Sequence, residues 1–162
     1  MKKPLLFIAA IGFGISGYGA YIPAKAVFAQ YLINNAWNES IATGEIQKPW
    51  GWADMHPVMK LSSTKHNKDL IVLSGDKGNP LAFAPGLNLD SYEPYKGGTS
   101  VISAHRDTHF RFLESVLIDD VFEVTDRSNN MANYVVTDIE IIDATNQEIP
   151  IYSNRDELKL IT

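Results

Sequence analysis

At 162 residues the chain has room for one ordinary domain and an appendage, and its 45% apolar and 20% charged residues are globular proportions. Fourteen Lys and Arg against nineteen Asp and Glu leave a formal net charge of -5, which offers no basic field for phosphates, so no nucleic acid is expected as a partner. Cysteine is absent, which removes disulfides, thiolate metal sites and any thiol nucleophile from these residues.

The first element is an uncharged run from Leu5 to Ile22, preceded by Lys2 and Lys3 and followed by Pro23. It is about one bilayer of helix long. Lysines stay on the cytoplasmic side, so residues 1–22 are expected to be a single-pass transmembrane anchor in the inner (cytoplasmic) membrane, with the rest of the chain periplasmic or otherwise extracytoplasmic. A cleaved signal peptide is the rival reading, since Ala24-Lys25-Ala26 offers a small-x-small site, but the run exceeds the usual h-region of about 7–15 residues. Gly12-Phe13-Gly14-Ile15-Ser16-Gly17 matches the dinucleotide fingerprint G-x-G-x-x-G. The fingerprint needs a helix opening at its end and further βαβ alternation, and neither follows. Small residues that let membrane helices approach explain these glycines better.

Residues 23–48 are expected to be a helix and a linker. Ala24, Val27, Phe28, Tyr31, Leu32 and Ala36 recur at helical spacing, which predicts an amphipathic helix to about Asn38. The polar stretch Glu39 to Lys48 reads as linker, and Pro49 opens the folded part.

From residue 49 to 162 the pattern changes to short β-branched and aromatic runs. Strands are predicted at Val58–Ser62, Asp69–Leu73, Leu81–Phe83, Ser100–Ala104, Val121–Thr125, Asn133–Ile142 and Leu158–Ile161. Gly75 to Pro80, Lys96-Gly97-Gly98 and Asp126 to Asn130 supply turn chemistry between them. Phe110–Val116 is expected to form a short helix. The fold class is therefore mainly β, an antiparallel-rich barrel or sandwich, because closure removes exposed edges. Lys65, Asp69 and Glu93 read as solvated surface charges.

The densest chemistry is Val101-Ile102-Ser103-Ala104-His105-Arg106-Asp107-Thr108-His109-Phe110, where an apolar strand runs out into titratable groups. Histidine exchanges a proton near neutral pH, so His105 is a candidate general acid and base. A hydrogen-bonded strand-end histidine without a catalytic task is the plainer reading. A third is metal: His105, Asp107 and His109 at i, i+2, i+4 would share a face if the strand continued, as in a zinc-dependent hydrolase, although His56 and His66 lie in an unrelated segment.

Several pieces together resemble the sortase family, and most closely its Gram-negative class GN. They are Pro49-Trp50-Gly51-Trp52-Ala53-Asp54, Leu81-Ala82-Phe83-Ala84-Pro85-Gly86, Ser100 to Leu113, and Leu158-Lys159-Leu160-Ile161-Thr162. The resemblance implies a sortase-like β-barrel and assigns the catalytic histidine to His105 rather than His109. It implies a cysteine transpeptidase that cleaves an LPXTG-type C-terminal sorting signal, holds the protein as a thioester, and passes it to an amine acceptor in the envelope. No cofactor is implied. In the family the cysteine follows the threonine that Thr162 resembles, so the chain is expected to be truncated just before its nucleophile and inactive as 162 residues. Two departures are Ala104, where glycine usually precedes the histidine, and Asp119-Asp120 in place of a Gly-Asp turn. The alternative in a different class is a non-catalytic membrane-anchored β-domain that binds envelope proteins.

Overall fold

A computed structural model of the chain describes residues 2–94, 96–143 and 155–162, without the side chains of residues 2–11, 13–18 and 20. A single helix, α1 (Lys2–Thr43), spans the predicted anchor, the amphipathic helix and part of the linker, and runs through Pro23. Among the described residues no helix is long and apolar enough to cross a membrane. The anchor expected over residues 1–22 falls almost wholly on side chains outside the described residues.

The predicted linker was misread because Glu39–Thr43 continue the helix. Ser40 is buried and returns its hydroxyl to the carbonyl of Ala36 at 2.7 Å, a local bond compatible with helical backbone. The helix stops at Gly44, whose φ of 74° closes the last turn with an N–H donated to the Ser40 carbonyl at 2.9 Å. The buried face is also rotated from the one expected. Ala29, Ile33, Ala36, Trp37 and Ser40 are buried, whereas Val27, Phe28 and Tyr31 stand 60–72% exposed. Spacing alone offered two apolar faces, and the one that found a partner won. That partner is a cluster of Ala53, Met55, Ile71, Leu73 and Ala84, edged by Trp50 and Phe83. Ile33 is fully buried there, so Ile33→Ala is expected to cost about 3 kcal/mol; a thermal melt of the variant checks it.

The remaining elements are β1 (Pro57–Ser63), β2 (Lys68–Ser74), α2 (Asn79–Phe83), β3 (Gly86–Leu87), β4 (Thr99–Ser103), a 3-10 turn at Arg111–Ser115, β5 (Val121–Asp126), β6 (Met131–Val135) and β7 (Glu157–Ile161). They form one sheet ordered β6-β5-β1-β2-β3-β4-β7. Pairing is antiparallel except between β2 and β3 and between β4 and β7, which are parallel. The sheet curls so that its edges approach. Tyr134 of β6 donates its hydroxyl to Asp156, next to β7, at 3.2 Å, and Tyr134, Leu158 and Leu160 pack on one core with Met59, Leu61, Val72, Ile102, Phe110 and Val124. The expected barrel is thus nearly closed.

Two predicted strands are corrected. Leu81–Phe83 belongs to α2, where Pro80 near the start supplies a φ already suited to a helix. The run Asn133–Ile142 is strand only as far as Val135, with one further pair of backbone bonds between Val136 and Asp119-Asp120, and Ile139 and Ile141 stand exposed. β-branched composition makes no strand without a partner to pack against.

Lys65 is exposed, as expected of a surface charge, but its partner is buried. Asp119 takes φ 71°, the left-handed conformation a glycine would adopt there, and turns the following Asp120 inward until it is 4% exposed. Its carboxylate accepts hydrogen bonds from the Lys65 ammonium, from His66 Nε2 at 2.7 Å and from the Leu117 N–H at 3.1 Å. The Lys65 bond foremost, opposed by burial and helped by Leu117 and His66, holds Asp120 down at about 2 against an ordinary 3.8. A depressed carboxyl stabilises the fold above its unfolded pKa and loses that stability as pH falls through the folded one. The melting temperature is therefore expected to fall from pH 3.8 toward about 2, and Asp120→Asn to melt lower at neutral pH without that part of the slope; melts across the range check it. Asp69 and Glu93 do pair on solvated faces, with Lys60 at 3.4 Å and Lys96 at 2.8 Å.

Candidate active site around His105

Four of the five residues of β4 are buried, so the strand is fixed in the wall of the barrel. Beyond Ser103 the Ala104 N–H still reaches the Ile161 carbonyl of β7 at 3.0 Å. Then the backbone reverses. The His105 carbonyl accepts from the N–H groups of Thr108 and Phe110, both at 3.2 Å, and the fully buried Phe110 ring pins the far side of the turn into the core. An exposed imidazole thus sits on a backbone held at both ends.

That reversal disposes of the metal reading. His105, Asp107 and His109 do not lie along a continued strand, and among the described residues no group of three or more His, Asp or Glu is placed to hold a metal ion. Arg106 and Glu114 form a surface pair at 3.6 Å, of little energetic weight.

β4 is flanked on both sides by strands that matter to His105. On one side β7 runs parallel, with Ser100 opposite Leu158 and Ser103 opposite Ile161. Both strands end on the same rim of the barrel, so the segments after Ser103 and after Ile161 leave side by side. On the other side β3 runs antiparallel with Gly86 opposite Ser103, which sets α2 beside the turn carrying His105. His109 fills that junction. Its pKa is lowered, chiefly by burial and next by the nearby His105, with the Phe83 backbone opposing. A neutral imidazole is what such surroundings favour.

Asp76, in a stretch with the composition of a turn, has a further part in the site. Asp76 accepts hydrogen bonds from Asn88 at 2.9 Å and from Ser103 at 3.3 Å, tying the β2–α2 turn to the residue two before His105. Nothing in the sequence marks it beyond its place in a Gly-rich turn, because its partners are distant in the chain.

A family model, the sortase domain, matches residues 61–162. Among solved structures, a Clostridium perfringens sortase D5 transpeptidase is 15% identical with a TM-score of 0.65, over 83% of this chain and 88% of that one. Sortase A from Corynebacterium diphtheriae is 19% identical at 0.59, over 82% and 74%. Sortase C1 from Streptococcus agalactiae is 21% identical at 0.58, over 84% and 81%. At these identities the likeness is one of fold. No curated protein matches the chain.

Proposed function

The chain belongs to the sortase family, and we propose that His105 is the general acid and base of a cysteine transpeptidase that cleaves an LPXTG-type C-terminal sorting signal and joins the protein to an envelope amine. The observation that carries this reading is the parallel register of β4 and β7. Ser103 stands opposite Ile161 and the Ala104 N–H still reaches the Ile161 carbonyl, which supports a thiol following Thr162, where the family resemblance puts it, on the same rim as His105.

A thiolate there attacks the scissile carbonyl of an extended peptide lying over the rim. The C–N bond breaks as His105 gives its proton to the departing amine, leaving a thioester. An incoming amine then attacks the thioester, His105 takes the proton from its nitrogen, and the thiolate leaves. The 162 residues contain no thiol, and by themselves they form no acyl-enzyme. A second reading is a domain that holds a sorting peptide without cleaving it.

The uncharged run from Leu5 to Ile22 behind Lys2 and Lys3 supports anchoring by α1 with the domain outside the cytoplasmic membrane. Resistance to extraction from membranes at alkaline pH tests that, and release would overturn it.

The test of the activity is to express the chain with a cysteine-led continuation behind Thr162, taken from the reading frame that follows or from the matching segment of a solved sortase, and to incubate it with a sorting peptide and an amine. Cleavage with transfer to the amine is the expected result. A folded protein that binds the peptide and leaves it intact establishes the binding domain instead.

A further inference from the structure

Next to α2 lies a shallow depression of about 280 Å³ lined by Trp50, Trp52, Ala53, Asp54, Met55, Asn79 and Phe83. Its chemistry is unusual for a surface. The Trp52 indole is 88% exposed, although so large an apolar ring is ordinarily covered. Trp50 is held edge-on against Phe83, with centroids 5.2 Å apart, so part of the aromatic wall is rigid. Asp54 is exposed, its carboxylate accepting one hydrogen bond from the Asn79 amide at 3.2 Å, and among the described residues no cation pairs with it. Aromatic faces beside an unneutralised carboxylate complement a cation. They complement neither an anion nor a purely apolar chain.

The depression also adjoins the candidate active site. Phe83 lines it and ends α2, and Gly86, three residues on, pairs with Ser103, two residues before His105. The geometry points to this depression as the docking site for the amine acceptor, held as its ammonium ion by the indoles of Trp50 and Trp52 and the carboxylate of Asp54. The inference rests on the transpeptidase reading for the identity of the ligand, though not for its binding. An ammonium gives one proton to solvent before it can attack a thioester, and the amine so formed loses a second to His105 on attack, so the site gathers the acceptor beside the turn of the base that completes the transfer.

The experiment uses the 162-residue chain, labelled with 15N and kept in neutral detergent, and the probe is triglycine amide with a free amino terminus. Three tryptophans report. Trp37, on the buried face of α1, shows that the protein is folded, while Trp50 and Trp52 stand at the depression. The free-amine probe is expected to shift the Trp50 and Trp52 indole N–H signals saturably, and N-acetyl-triglycine amide to leave them in place. Trp52→Ala is expected to weaken binding about three- to fivefold, and Asp54→Asn to weaken it as well; both side chains are exposed, so neither change endangers the fold. His105→Ala should leave binding intact. Equal shifts by the acetylated probe or by N-acetylglucosamine, no shift at all, or full binding by Asp54→Asn each overturn the inference. Because binding is read without a thiol, shifts that persist while the cysteine-bearing form fails to cleave would sink the transpeptidase reading alone. Cleavage without shifts would sink the acceptor site alone.

Discussion

Gly86→Ala is expected to lower the melting temperature by about 10 °C. A Cβ at Gly86 would lie 2.1 Å from the Gly75 carbonyl oxygen and 2.9 Å from the Asp76 Cα. Both are backbone atoms, which cannot swing aside as a side chain does. Overpacking of this kind costs about 3 kcal/mol, and a chain of this size loses about 2–4 °C per kcal/mol. The place matters as much as the clash. β3 is two residues long and lies between β2 and β4 in the sheet, pairing with Leu73 on one side and Ser103 on the other. Pushing it outward parts the half of the sheet that carries His105 from the half that carries most of the core. Circular-dichroism melts of Gly86→Ala beside Gly44→Ala separate this from backbone strain. Gly44 has φ 74° but nothing within 4 Å, so its variant should lose only about 1–2 kcal/mol. Equal melting of the two would refute the close approach.

His105→Ala is expected to lower cleavage of a sorting peptide by about 10²–10⁴-fold in the cysteine-bearing form, the usual contribution of a positioned general acid. The fold should survive, because the imidazole is exposed and the turn is held by the His105 carbonyl and the Phe110 ring rather than by the His105 side chain. An activated ester whose leaving group needs no proton distinguishes acid catalysis from damage. The variant should process it nearly as well as the parent. His109→Ala should cost far less in rate, since burial favours a neutral ring there. If His109→Ala proves the more damaging of the two, the roles assigned here are reversed.

The strands around the site were legible because they carry their own signal. Val58–Ser62, Asp69–Leu73, Ser100–Ala104 and Val121–Thr125 were found within a residue or two of β1, β2, β4 and β5, and Leu158–Ile161 of β7. Each is a short apolar run bounded by turn residues, a pattern that survives without knowing the partner. Where the partner decides, the sequence misled. Asn133–Ile142 has the composition of a long strand, yet the ladder offered to it ends at Val135. Leu81–Phe83 has strand-like residues, yet Pro80 near the start of α2 suits a helix.

The sequence by itself determined the β-rich class, the family resemblance and the choice of His105, because strand periodicity, turn residues and the motif after β4 are all local. Only the tertiary structure decided which face of α1 is buried, that Lys65 closes over a buried Asp120, that Asp76 braces the residue before the His105 turn, and that His105, Asp107 and His109 are no metal set. Each of these depends on groups brought together from distant parts of the chain. The parallel pairing of β4 with β7 joins residues 58 apart in number, from Thr99 with Glu157 to Ser103 with Ile161; no local pattern encodes that register, which emerges only when the sheet has curled and both strands share one core.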